Sequence, residues 1–204
     1  MIRVLLADDQ AMVRGAIAAM LGLERDIEVV GQAGDGDEVL RLAAERRPDV
    51  ALLDVQMPGT TVPDGLAAAA ELHRTLPTCR IVVLTTFGRP GYLSRAMRAG
   101  ASGFVVKDSP PEQLTDAVRR VHQGLRVVDP ALAAESLSSG ASPLTARERD
   151  VLVAAADGAT VSDVARALQL SAGTVRNHLS AAIGKTDART RAEAVRIADE
   201  RGWL

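Results

Sequence analysis

Five side chains in this sequence could carry phosphoryl or metal chemistry, and each closes a short apolar run. Asp8 and Asp9 follow Ile2-Arg3-Val4-Leu5-Leu6-Ala7, and Asp54 follows Val50-Ala51-Leu52-Leu53. Thr85 ends Ile81-Val82-Val83-Leu84, and Lys107 follows Gly103-Phe104-Val105-Val106. Three carboxylates in one cleft repel one another unless a cation neutralises them, and hard oxygen ligands of this kind suit Mg²⁺. A hydroxyl and an ammonium beside them would stabilise charge on a transferring phosphoryl group. An aspartate is a competent nucleophile for that transfer and forms an aspartyl phosphate. Each residue also has a plainer reading. Asp8 and Asp9 suit the cap of a helix starting near residue 11, Asp54 a helix or turn cap, Thr85 an ordinary strand position, Lys107 a solvated charge. One at a time these compete well. Together they require coincidences at four separate strand ends.

The elements that must position these groups follow from periodicity. Short aliphatic runs at 2–7, 28–33, 50–54, 80–86 and 103–106 read as strands. The run ending at Asp54 is apolar without interruption, as in a strand buried on both faces of a parallel sheet. Helix spacing appears at 11–23, 36–46, 64–75 and 92–99, and again through Leu114, Ala117, Val118 and Val121. Strands alternating with helices imply right-handed crossovers and an α/β fold, a doubly wound five-stranded parallel sheet. All its strand C-termini open on one edge, where such sheets place their sites.

That alternation stops at residue 123. Residues 124–142 hold Gly124, Pro130, Gly140 and a cluster at Ser136, Ser138, Ser139 and Ser142, which reads as a linker with a short helix near 130–137. From residue 143 on only helix signals remain. Thr145-Ala146-Arg147-Glu148 is a capping box, Asp157-Gly158 closes that helix, and 161–168 forms a second. Ser171 caps a third, and 189–201 forms a fourth. The expected organisation is a domain at 1–123, a linker at 124–142 and a small all-α domain at 143–204.

Within the small domain, Val175, Leu179, Ala182 and Ile183 fall on one side of the third helix. Gly173, Arg176, Asn177, Ser180 and Gly184 fall on the other. That outward face is polar and free of bulk, so it can enter a DNA major groove, where Arg prefers guanine and Asn adenine. With the preceding helix and the turn at Gln169-Leu170 it forms a helix-turn-helix. The competing reading is an ordinary amphipathic helix of a small bundle, and periodicity alone favours it. Charge supports DNA binding only weakly. Residues 143–204 carry nine basic and eight acidic side chains, a net of +1, and the 204-residue chain has a net charge of −2. Affinity of a single copy should be modest and salt-sensitive.

Residues 2–123 resemble the receiver domain of two-component response regulators, through Asp8-Asp9, Asp54 with Met57-Pro58-Gly59, Thr85, and Lys107 three residues after Phe104. Leu144-Thr145, Arg147-Glu148, Gly158, Val164-Ala165, Leu170-Ser171, Thr174-Val175-Arg176, His178 and Ile183 resemble the LuxR-type domain of NarL/FixJ regulators. The resemblance implies that Asp54 accepts phosphate from a cognate sensor histidine kinase. It implies that Asp8, Asp9, Asp54 and the Gln56 backbone carbonyl hold Mg²⁺, that Thr85 and Lys107 contact the phosphoryl oxygens, and that Phe104 swings inward as Thr85 moves. In the second domain it implies that Arg176, Asn177 and Ser180 face bases of double-stranded DNA, with Thr174, His178 and Lys185 on the DNA backbone. Two departures stand out. The loop after Asp54, Met-Pro-Gly-Thr-Thr-Val-Pro-Asp-Gly, is longer than the family's compact form over 59–65. Thr186 replaces a usual leucine before the last helix. The stretch from Thr85 to Tyr92 further resembles regulators of membrane-lipid desaturation.

The expectation is therefore a phosphorylation-controlled transcription factor, not an enzyme, that forms a homodimer on phosphorylation. Two rivals are an aspartyl-phosphate phosphatase, disfavoured because Gln56 stands where a second acid would be, and a DNA-binding protein indifferent to phosphorylation. The single Cys79 excludes an internal disulfide and suits a reducing compartment. No apolar run approaches the ~20 residues a membrane helix needs, so a cytoplasmic protein without direct membrane contact is expected.

Overall fold

The computed structural model describes residues 1–86, 90–130, 132–134, 142–156 and 158–204. By backbone contacts the chain divides into two compact units, one spanning most of residues 1–133 and the other residues 134–204 with 89–92. Each is described by itself.

The first unit is built on strands β1 (Ile2–Ala7), β2 (Ile27–Ala33), β3 (Val50–Asp54), β4 (Arg80–Thr85) and β5 (Gly103–Val106). They form one parallel sheet in the order β2-β1-β3-β4-β5. Between them run α1 (Ala11–Leu21), α2 (Gly36–Arg46), α3 (Gly65–Thr75) and α4 (Pro90–Arg98), and α5 (Pro111–His122) follows. All five residues of β3 are buried, because strands flank it on both sides and helices cover both faces. Val4, Leu6, Val50, Leu52, Val82, Leu84 and Val105 form one core layer with Leu21, Leu114, Val118 and Val121 of α1 and α5. The alternate residues Leu5, Leu53, Ile81 and Val83 are equally buried on the other face. Cys79, just before β4, is buried, and burial pushes its thiol up to about 12.

Element ends follow local chemistry. Asp35 and Asp64 cap α2 and α3 by accepting the amides of Glu38 at 2.8 Å and Ala67 at 2.7 Å. No side chain caps α1: Gln10 stands at its N-cap and donates its own amide to Asp8 Oδ1 at 2.9 Å. The helix-cap reading of Asp8 and Asp9 therefore falls. The first helix stops at Leu21, two residues short of expectation, with Leu23 exposed. α4 starts at Pro90, two residues early, since proline suits a first helical turn. α2 ends with Arg47 in a left-handed conformation before Pro48, which disfavours helical geometry in the residue preceding it. Residues 125–129, read from composition as linker, run along the sheet edge. Val127 lies beside Gly103, accepts from the Phe104 amide at 2.8 Å and donates to Ser102 at 3.0 Å. Of the short helix expected near 130–137, Ala131 and residues 135–137 lie outside the described residues, as do Ser138, Ser139 and Gly140.

The second unit consists of α6 (Ala146–Ala155), α7 (Val161–Leu168), α8 (Ala172–Lys185) and α9 (Arg191–Glu200). All four carry a side-chain N-cap. Thr145 with Glu148 and Thr160 with Asp163 form capping boxes, Ser171 accepts the Thr174 amide and Thr190 the Glu193 amide. Each such cap is worth about 1 kcal/mol, and Thr190 sets the last helix to start two residues later than periodicity suggested. Asp157 lies outside the described residues. Val151, Leu152, Val164, Val175, Leu179, Ala182, Ala194, Ala198 and Trp203 close a single core. Thr186 is buried beside this core, and its hydroxyl donates to the Ala182 carbonyl at 2.9 Å and lies 3.1 Å from the Ile183 carbonyl.

Candidate functional site

The sheet order puts the ends of β1 and β4 on either side of β3, and the backbone fixes each position there. The Val55 amide donates to Leu84 at 3.1 Å, Lys107 to Thr85 at 2.7 Å, and Asp8 to Ala33 at 3.1 Å. Asp8, Asp54 and Thr85 are all but fully buried, and Asp9 is exposed at the rim. The Lys107 ammonium lies 2.7 Å from Asp8 Oδ2 and 3.0 Å from Asp54 Oδ2. These contacts are ionic more than directional, since neither Lys107 Nζ nor Asp8 Oδ2 makes an aligned hydrogen bond.

The electrostatics are those of crowded like charges. Burial pushes the Asp54 carboxyl above the usual carboxylate range and Asp8 adds to it, while Lys107 and the Gln56 backbone amide oppose the rise without cancelling it. Burial alone would lower the Lys107 ammonium, but the two acids outweigh burial and hold it above its ordinary value. One ligand oxygen from each of Asp8, Asp9 and Asp54 lies within 4.8 Å of the others. Three acids against one lysine leave a formal excess of two negative charges. With hard oxygens only and an oxygen of Asp8 lacking an aligned donor, the residues fit a small divalent cation. Phe104, expected as a mobile aromatic, is buried on β5 opposite Val83.

The loop from Val55 to Asp64 closes back on the site. The Gly65 amide donates to the Val55 carbonyl at 3.1 Å, and a Cβ at Gly65 would lie 1.7 Å from the Asp54 carbonyl, so only glycine fits there. Asp37 Oδ2 accepts the amides of Thr60 at 2.9 Å and Thr61 at 3.0 Å. Sequence reading missed this role: next to the N-cap Asp35, Asp37 looks like one more acid suited to a helix start.

On α8, Val175, Leu179 and Ala182 are buried, while Gly173, Arg176, Asn177, Ser180, Gly184 and Lys185 are exposed. The outward face is thus the one expected. Thr174 and His178 are half-buried at its edge, and the Thr174 hydroxyl lies 2.8 Å from that of Ser171. Lys185 reaches back to Glu148 at 2.7 Å, so one of its contacts is internal to the unit. Glu148 also accepts the Thr145 amide at 2.7 Å, which ties the start of α6 to the end of α8. Of the stretch Thr85 to Tyr92, residues 87–89 lie outside the described residues.

The fold, an acid cluster at its strand ends and a helix-turn-helix define a class: a receiver joined to a DNA-binding unit. Residues 4–119 match the response regulator receiver domain, and residues 142–198 match the luxR family of bacterial regulatory proteins. The chain is 44% identical, over the full length of both, to the transcriptional regulatory protein DesR of Bacillus subtilis. It resembles RcsB of Salmonella enterica serovar Typhimurium bound to the promoter rprA in the presence of the phosphomimetic BeF3-, with a TM-score of 0.73, 26% identity and coverage of 97% of this chain and 98% of that one. A structure of two RcsB dimers on two parallel DNAs gives a TM-score of 0.68 at 25% identity, covering 98% of each chain. The chain belongs to the NarL/FixJ family of two-component response regulators, which are transcription factors with a receiver and a LuxR-type DNA-binding domain. Among the described residues no helix is long and apolar enough to cross a membrane.

Proposed function

We propose that phosphorylation of Asp54 by a cognate sensor histidine kinase controls DNA binding by this regulator. The observation that carries the reading is the buried Asp54 carboxylate, 3.0 Å from Lys107 and within one cluster with Asp8 and Asp9. In the transfer, an Asp54 oxygen attacks phosphorus as the P–N bond to the kinase histidine breaks, and the imidazole leaves with the electron pair. Asp8, Asp9, Asp54 and the Gln56 carbonyl would hold Mg²⁺, which supplies positive charge to the transferring oxygens. Lys107 and Thr85 take two of those oxygens, and the Thr85 shift is coupled to Phe104. The working boundaries are a receiver at 1–123, a linker at 124–142 and a DNA-binding domain at 143–204, all in the cytoplasm without direct membrane contact.

Phosphorylation favours a homodimer, so that two α8 helices read half-sites about one DNA turn apart. Arg176, Asn177 and Ser180 face the bases, and Thr174, His178 and Lys185 lie toward the DNA backbone. The RcsB structures with DNA, a phosphomimetic and paired dimers support this reading by likeness. The test uses full-length wild type and Asp54→Ala with acetyl phosphate and Mg²⁺. Wild type alone should shift on a phosphate-affinity gel, sediment as a dimer and gain operator affinity. Equal operator binding by both proteins would establish phosphorylation-independent control instead.

A further inference from the structure

The loop after Asp54 is fastened at both ends and in the middle. Near its start, the Gln56 amide helps keep the Asp54 carboxyl charged. Its last turn packs Gly65 onto the Asp54 carbonyl. Between these, the Asp37 carboxylate at the start of α2 accepts two successive loop amides, Thr60 and Thr61. Those bonds hold the Asp37 carboxyl below the usual carboxylate range. Val62 is buried against α2, where a Cβ at Gly36 would fall 2.6 Å from its side chain. Asp64, which caps α3, also faces Arg95 of α4 at 3.6 Å. The inserted residues are therefore not slack. They strap α2 to α4 across the segment that carries the Gln56 amide.

From this geometry we infer that Asp37 is a positioning residue that sets the lifetime of the phosphoryl group on Asp54 by anchoring the 55–65 loop. The inference rests on Asp54 being the phosphoacceptor. In the step concerned, water attacks phosphorus, the P–O bond to Asp54 breaks, and carboxylate, inorganic phosphate and a proton are released. An anchored loop keeps the Gln56 amide on the reacting carboxylate and Met57, itself buried, packed beside Gly65. Freeing the loop admits water and lets that amide wander. Asp37 touches neither the acid cluster nor the phosphoryl group, so its effect travels only through the backbone it holds. Asp64 contributes the second tie, to the helix that follows β4.

The experiment phosphorylates full-length protein with acetyl phosphate and Mg²⁺, removes the donor, and follows the phospho-form on a phosphate-affinity gel. Asp37→Ala should shorten the half-life about threefold or more. Asp37→Asn, which keeps an acceptor oxygen for the loop amides, should restore most of it. Asp64→Asn keeps the α3 cap but removes the charge facing Arg95, and should shorten the half-life by a smaller factor. It also remains informative should Asp37→Ala fail to fold. Thermal melts of the unphosphorylated proteins separate a positioning effect from simple loss of stability. The inference is overturned if folded Asp37→Ala and Asp64→Asn lose phosphate at the wild-type rate, or if Asp37→Asn decays as fast as Asp37→Ala. Failure of wild type to become phosphorylated at Asp54 would instead overturn the function on which it rests.

Discussion

The two functional surfaces of this chain solve opposite problems. The acid pocket gathers charge where water is scarce: Asp8 and Asp54 are buried, and Lys107 sits between them. The α8 face displays Arg176, Asn177 and Ser180 to solvent and keeps only Val175, Leu179 and Ala182 inside. In the pocket, position comes from backbone ladders of four strands, and the groups perturb one another strongly. On α8, position comes from one capped helix on a small core, and the polar side chains of its outward face are exposed. Changes in the pocket should therefore be large and mutually coupled, and changes on α8 smaller and nearly additive.

The sharpest test of that contrast removes the pocket's own cation. Lys107→Met leaves two buried carboxylates facing each other and should lower stability in EDTA by about 3 kcal/mol, read from urea titration. A loss as small as that of an exposed ion pair would erase the distinction between the two surfaces. Combined with Asp54→Asn, the cost should shrink, because one of the stranded charges is then gone. On α8, Arg176→Ala and Asn177→Ala should each cost about 1–3 kcal/mol in operator affinity and relax preference at one base position. Their sum in the double variant, measured by titration at fixed salt, should match the separate losses closely.

The smallest effect concerns the tie beneath α8. Glu148 is desolvated, which works against its charge, yet Lys185 and Thr145 more than compensate and hold its carboxyl below the usual range. The folded value lies under the unfolded one, so the contribution is complete above the ordinary glutamate range. It fades as pH falls through the folded value. Glu148→Gln should cost about 1–2 kcal/mol at neutral pH and nothing in acid, as measured by circular dichroism melts of both proteins across pH. A pH-independent difference would mean that shape, not charge, holds that corner.

Sequence alone was most informative where periodicity is uninterrupted. Strand β3, the helices around it and two of the C-terminal caps, Thr145 and Ser171, are visible in the order of side chains, because buried runs and capping residues are local signals; the caps at Thr160 and Thr190 emerge only from the folded backbone. The pocket was legible for a different reason: parallel strands end on one edge, so Asp8, Asp54, Thr85 and Lys107 could be brought together before any distance was known. What stayed hidden depends on contacts between segments far apart in the chain. Asp37 gives no local sign that it holds amides more than twenty residues away. Glu148 announces its capping box, but not the lysine on a helix 37 residues downstream. Val127, placed in the linker by composition, pairs with an edge strand that only the assembled sheet exposes.

Trp203 carries a practical consequence. It is the chain's only tryptophan, it lies in the core of the second unit, and the Arg201 guanidinium sits 5.0 Å above its ring. Light absorbed at the red edge of the aromatic band therefore excites the DNA-binding unit alone, and the receiver is dark. A fluorescence trace taken during denaturation follows one half of the molecule with no label attached. Set beside a probe of the whole backbone, it shows whether the two halves come apart together or in turn.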